Sequence, residues 1–423
     1  MFRSVSFWLW FFMLAPFFLN AQNVLEDRVF DDNIVNVLLY AGSDQLKDPV
    51  VELHSTEKLT LSFDDLSNRQ ENYKYTLIHC TSDWRPSDLD PSDYLSGYFE
   101  GDINTYKFSF NTLTPYIHYR LVFPQAEMRP ILSGNYVIKV YLDDGGDTSV
   151  IFTRRFFVVE PLVSIAAKVP YYPKDLANFK IKQQIDLVCH TPDVFSAEPE
   201  QRFSVTIRQN DRWDNAYYNL HPTSVTPDQL RFDYADGIVF NSGNEPRYFD
   251  MKDFWYQSEY IRQIIQQQNG YRVILHTGYP RTGNRYETYK DHHGKMFIAA
   301  RSDQNPHTEG DYAEVYFSLK MPEMKNGAVY ILGQLTDYRL TPENKMSYNK
   351  TQQAYEGRLF LKQGYYEYWY AFLPAGSQTA DVTPIEGSYW ETRNVYTIYV
   401  YYHNVNLAYD RLVGIQKIDA HAP

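Results

Sequence analysis

A chain of 423 residues exceeds the size at which one hydrophobic core usually stops growing, so two or three domains are expected; 44% hydrophobic and 22% charged residues exclude a disordered protein. A formal net charge of -12 argues against a phosphate-backbone ligand, and no run of Lys/Arg interleaved with aromatics offsets it. Two cysteines exclude a Cys-rich zinc site or a dense disulfide framework, while 38 Tyr and 26 Phe favour half-buried, pleated strands.

Residues 1–21 read as a secretory signal: Arg3 gives a positive start, residues 7–18 an apolar stretch, and Ala21 a small residue before Gln22, where the mature chain is expected to begin. That stretch is shorter than a membrane span and is broken by Pro16. No Cys follows the cleavage point to carry a lipid, and no later stretch is apolar enough to span a bilayer. The mature protein is expected to be soluble and periplasmic.

The first predicted domain covers residues 22–160. Tyr106, Phe108 and Phe110 alternate with Lys107 and Ser109, a strand pattern. Ser133-Gly134-Asn135 turns the chain into a strand over 136–142, and Asp143-Asp144-Gly145-Gly146-Asp147 turns it back into 149–159, which predicts a hairpin. Glu160-Pro161, with Pro170 and Pro173 beyond, places a boundary near 161.

A second domain over 161–310 repeats the idiom in strands at 185–189, 203–209 and 271–276. Ile261, Ile264 and Ile265 fall at helical spacing before Gly270, so 258–269 is predicted to be a short connecting helix. Residues 278–311 are polar and rich in Gly, Pro and Asn, a loop-rich approach to a third domain over 311–423. Five predicted strands there, at 312–319, 328–332, 357–361, 365–372 and 395–402, fill a small sandwich. The fold class is all-β, as tandem immunoglobulin-like or early-set β-sandwich domains.

Chemistry is sparse. His292-His293 cannot chelate from an extended strand, because neighbours point to opposite faces, and a polar turn is expected there. Asp143, Asp144, Asp147, Asp211 and Asp214 lack the spacing of an EF-hand loop and read as solvated turns. There is no nucleophile elbow, no His-Glu-x-x-His helix and no phosphate-cradling glycine loop, so neither an enzyme nor a cofactor is expected. Cys80 and Cys189 fall in different predicted domains; an oxidising compartment permits one bridge between them, with two reduced thiols as the default. The remaining signal is aromatic: Trp84, Tyr94, Tyr98 and Tyr106, and Tyr365, Tyr366, Tyr368, Trp369, Tyr389 and Trp390. Most are expected to pack cores; Trp84, Tyr94 and Tyr98 are the candidates for partner binding.

Read as segments, the chain resembles the type IX secretion system plug family of the Bacteroidetes. The residues that carry the resemblance are His79-Cys80 with Asp83-Trp84, Ser96-Gly97-Tyr98, Asp102-Ile103-Asn104 with Tyr106, and Ser109-Phe110-Asn111-Thr112 followed by Tyr116, His118, Tyr119 and Arg120. They continue in Ser133-Gly134-Asn135-Tyr136, Asn244-Glu245-Pro246-Arg247-Tyr248-Phe249-Asp250, Lys362-Gln363-Gly364-Tyr365-Tyr366 and Glu386-Gly387-Ser388-Tyr389-Trp390. The resemblance implies a non-catalytic periplasmic protein on the inner face of the outer membrane. Its partner would be the large translocon β-barrel, whose periplasmic mouth it would plug while no cargo passes.

The third domain is also similar to early-set modules that bind glycogen or starch, through residues 328–338, Met346, Tyr355-Glu356-Gly357 and residues 364–368. Asp337-Tyr338 stands where those modules usually carry Asn-Trp, which removes an aromatic platform for a sugar. The alternative that follows is a periplasmic or surface carbohydrate-binding protein.

Overall fold

Leu59, Leu61 and Phe63 alternate with Thr60, Ser62 and Asp64 along the strand Leu59–Asp65, yet every residue of it is buried. A strand that reads as half polar is buried on both faces only when a second body covers its outer face. That is the principle of this architecture. The structure is a computed structural model that describes residues 24–143, 148–191, 198–406 and 409–421. The expected signal at 1–21 and the tip of the turn at 144–147 lie outside them.

Three sandwiches make up the fold, which is all-β as expected. In the first, Arg28–Val29, Thr148–Val159, Gly134–Asp143, Lys74–Cys80 and Gly101–Asp102 form one sheet in that order, with Val50–Glu52 parallel to Thr148–Val159. The facing sheet runs Ile34–Ala41, Leu59–Asp65, Ile117–Phe123, Thr105–Phe108. Between them Phe63 stacks on Tyr119 at 5.1 Å and meets Phe152 edge-on at 5.0 Å. The expected hairpin is the antiparallel pair of Gly134–Asp143 and Thr148–Val159.

The middle sandwich sets Ser164–Lys168, Lys182–His190, Gln229–Arg231 and Ser224–Thr226, with Ile238–Asn241 beside them, against Tyr217–Leu220, Phe203–Gln209, Val395–Asn404 and Tyr409–Asp419. It therefore begins after 160, is interrupted after 241, and is completed by the last two strands of the chain. The division at 310 is corrected accordingly. Val395–Asn404, expected in the third domain, pairs with Phe203–Gln209 because Tyr396, Ile398 and Val400 enter the same core as Phe203, Val205 and Ile207.

The third sandwich is the insertion. Arg247–Asp250, Met296–Ile298 and Gly327–Leu332 surround Gly364–Pro374, opposite a sheet of Ile261–Gln267, Gly270–Leu275, Tyr312–Lys320, Ala354–Lys362 and Ser347–Asn349. The predicted helix over 258–269 is the edge strand Ile261–Gln267. A register shift between Ile261 and Gln263 adds a residue to the strand, so Ile261 and Ile264 both pack towards the core three positions apart, which imitates helical spacing.

The junctions are as well built as the cores. Asp64 of the first sandwich accepts hydrogen bonds from Lys362 Nζ and Tyr312 Oη of the inserted one, each at 2.6 Å, and from its own neighbour His118 Nδ1 at 2.6 Å. Burial alone would raise the Asp64 pKa, but Lys362 and His118 outweigh it and hold the carboxyl down to about 2. Where all three sandwiches meet, Asp48 binds Lys295 at 2.6 Å and Lys417 at 2.5 Å, while Asp211 binds Arg208 at 2.9 Å and Lys295 at 3.3 Å. Between the first and middle sandwiches the seam is apolar: Trp84, Phe157, Tyr399 and Leu412 form one cluster, and Tyr401 Oη donates to Asn135 at 2.8 Å.

Candidate partner-binding surface

The inserted sandwich carries the most exposed aromatic side chain of the described residues, Trp255 at 80%, with Tyr256, Tyr260 and Tyr279 also exposed. Local geometry points Trp255 and Tyr256 outward. Asp253 Oδ1 accepts from the Trp255 amide at 2.8 Å, Ser258 Oγ donates to the Asp250 carbonyl at 2.6 Å, and Phe254 stacks on Tyr271 at 4.1 Å. With Phe254 as the anchor and both loop ends tied, the next two rings are left on the surface.

Beside this loop lies the largest cavity described, about 760 Å³, lined by Tyr248, Tyr260, Tyr279, Tyr289 and Tyr368 together with Arg285. Tyr248 is its centre, meeting Tyr260 edge-on at 4.7 Å and Tyr289 at 5.5 Å. Two of its lining residues share one carboxylate: fully buried Glu386 accepts from Arg247 Nε at 2.9 Å, Arg281 Nε at 2.6 Å and the Tyr370 amide at 3.0 Å. Aromatic rims beside paired charges suit a protein partner, for which Trp and Tyr are the usual anchors.

A second polar cluster lies between the inserted and middle sandwiches. Glu367 accepts from the amides of His292 at 2.8 Å and Gly294 at 2.9 Å, so the His292-His293 segment is pinned as a turn. Burial pushes the Glu367 carboxyl up to about 7. Burial, then the neighbouring Glu245 and Glu367, push Asp291 up to about 9. Asp291 Oδ2 is buried with no hydrogen-bond partner among the described residues, as a protonated acid tolerates better than a carboxylate.

The partner candidates expected from sequence are not brought together. Tyr98 is 70% exposed, but on the first sandwich. Trp84 is 1% exposed and Tyr94 6%, so both are corrected from surface to core. Trp84 sits between Phe157 at 5.2 Å and Trp213 at 5.4 Å, with the Arg155 guanidinium 4.4 Å over its ring; it joins the first and middle sandwiches. Tyr94 packs on His79 and Tyr136. Cys80 and Cys189 are both free and buried in separate clusters, so the permitted bridge is absent, and burial pushes each thiol up to about 12. Tyr366, Tyr368 and Trp369 are core as well. The surface that sequence reasoning missed had a signal: Phe254-Trp255-Tyr256 is an aromatic run with no alternation, which no single strand face accommodates.

Comparison with known proteins bears on the fold. The family described as type 9 secretion system plug protein, first domain, matches residues 34–160, which correspond to the first sandwich from Ile34 onward. A crystal structure of a hypothetical protein from Parabacteroides merdae superposes with a TM-score of 0.90 at 33% sequence identity, covering 94% of this chain and 100% of that one. The C-terminal domain of the Streptococcus pyogenes antigen I/II-family protein AspA aligns at a TM-score of 0.16 and 7% identity, too low to bear on the fold. No curated protein matches the chain. A matched first domain and a relative superposing over nearly the whole length, on a fold of three joined sandwiches, together establish that the chain belongs to the type 9 secretion system plug protein family.

Proposed function

We propose that this plug protein is a non-catalytic periplasmic component that seats against the inner mouth of the outer-membrane translocon barrel and closes it while no cargo passes. The observation that carries the reading is mechanical. A stopper must resist deformation without doing chemistry, and here all three sandwiches are joined by buried and partly buried ion pairs and an apolar seam instead of flexible linkers. The Trp255 and Tyr256 tips and the neighbouring groove are the surface we assign to the barrel. No described helix is long and apolar enough to cross a membrane, which fits attachment through a partner.

The alternative of glycan binding through Tyr366, Tyr368 and Trp369 is not favoured, because all three pack inward. Affinity purification of the tagged protein from its own envelope tests the proposal directly. Recovery of a very large outer-membrane barrel is expected, together with entry of normally excluded dyes when the gene is deleted. An envelope that stays tight and secretes normally after deletion would overturn it.

A further inference from the structure

We propose that residues 168–182, at one end of the middle sandwich, form a knob that docks on a phospholipid surface bearing anionic headgroups. Tyr171, Tyr172, Leu176 and Ile181 are 46 to 68% exposed and fall within eleven consecutive positions. Singly exposed apolar residues are ordinary, but a cluster of this kind marks a contact surface.

The knob is preorganised. Asp175 Oδ1 accepts from the Ala177 amide at 3.0 Å and caps the 3-10 turn Leu176–Asn178. Tyr171 meets Tyr172 edge-on at 4.7 Å and Trp390 at 4.9 Å, while Tyr172 stacks on Phe179 at 5.3 Å. Trp390 is itself fixed, its amide donating to the Lys180 carbonyl at 3.0 Å and its carbonyl accepting from Gln183 Nε2 at 2.6 Å. The apolar tips therefore stay outward without paying for order on contact.

Charge distinguishes a lipid surface from a protein one. The chain as a whole carries 52 acidic and 40 basic residues, whereas this segment carries Lys168, Lys174, Lys180 and Lys182 against Asp175 alone. Asp233 holds Lys174, and Asp186 lies across the sheet from Lys168, which leaves Lys180 and Lys182 as the bases beside the tip. Tyr rings with polar tips, short aliphatic side chains and snorkelling lysines are the side chains that settle at the headgroup level.

Co-sedimentation of the mature protein with vesicles tests this without any barrel present, so its outcome is separate from that of the plug reading. Vesicles of phosphatidylethanolamine with about a quarter phosphatidylglycerol are compared with pure phosphatidylcholine, at low and high salt. The wild type is expected to partition onto the anionic vesicles, less so at high salt. The exposed triple variant Tyr171→Ser/Tyr172→Ser/Leu176→Ser should lose about tenfold in partitioning with its thermal midpoint unchanged. Lys180→Glu/Lys182→Glu should abolish the preference for anionic lipid. Wild-type protein that stays in the supernatant with both vesicles, or a folded triple variant that partitions like the wild type, would overturn the proposal and leave the knob to a protein partner.

Discussion

Lys362 Nζ lies 2.6 Å from Asp64 Oδ2 with neither side chain exposed, so one ion pair joins the inserted sandwich to the first across 298 positions of sequence. Removing one partner of such a pair leaves an uncompensated buried charge. Lys362→Met is expected to destabilise the protein by about 3–5 kcal/mol, whereas Lys362→Met combined with Asp64→Asn should cost less, because no charge remains stranded. Chemical denaturation of the two variants decides; equal losses would mean the pair is not the lock described.

The acid cluster between the inserted and middle sandwiches predicts a pH dependence. Asp291 and Glu367 hold protons in the fold up to about pH 9 and about pH 7, well above their ordinary values of 3.8 and 4.5. Their contribution to stability is therefore complete below about pH 4 and is lost as pH rises through about 7 and then about 9. Denaturation midpoints should fall between pH 6 and pH 9 roughly in step with that loss. Asp291→Asn, which cannot ionise, should flatten the upper part of the curve.

Acid acts through other groups. Burial depresses His79 and His307 to about 4, so both are neutral in the fold. The stability they contribute is present above about pH 6.5 and disappears as pH falls through about 4. His307→Gln should make the protein less sensitive to pH between those limits, as followed by the unfolding midpoint.

Both thiols should be silent in the native state. With each pushed up to about 12 and buried, the reactive thiolate is scarce and shielded. A thiol reagent at pH 8 is expected to titrate none in the native protein and two after denaturation. Fast modification of either native thiol would contradict its burial.

Trp255 and Trp84 should behave in opposite ways. Trp255→Ala is expected to leave the thermal midpoint unchanged and to weaken retention of the barrel by about 2 kcal/mol, roughly thirtyfold. Trp84→Ala, which empties the seam between the first and middle sandwiches, should cost about 3–5 kcal/mol of stability. Thermal melts set beside barrel pull-down would separate the two roles.

Much of this was legible in the amino-acid order, for identifiable reasons. Strand content followed from alternation and turn residues, as at Gly134–Asp143 and Thr148–Val159, where the partners are neighbours in sequence. What was lost was long-range pairing: nothing within Val395–Asn404 says whether its partner is Gly364–Pro374 nearby or Phe203–Gln209 far upstream. A bulge made Ile261–Gln267 look helical, since an inserted residue turns a period of two into a spacing of three. Burial of Trp84 was invisible because an aromatic beside a turn reads alike whether a second domain covers it or water does, and Tyr94 gave no sign of which face of its own sandwich it joins.

The interrupted middle sandwich also has a consequence in time. A polypeptide emerging from its amino end presents Phe203–Gln209 early, but the strand that must zip onto it follows far later, Tyr396 facing Gln209 across 187 intervening steps. During that wait the Phe203–Gln209 edge is an open template for the wrong strand. Nesting one domain inside another thus makes the final strands a checkpoint: a chain cut short by some 30 residues would lose not its tail but the closure of its centre.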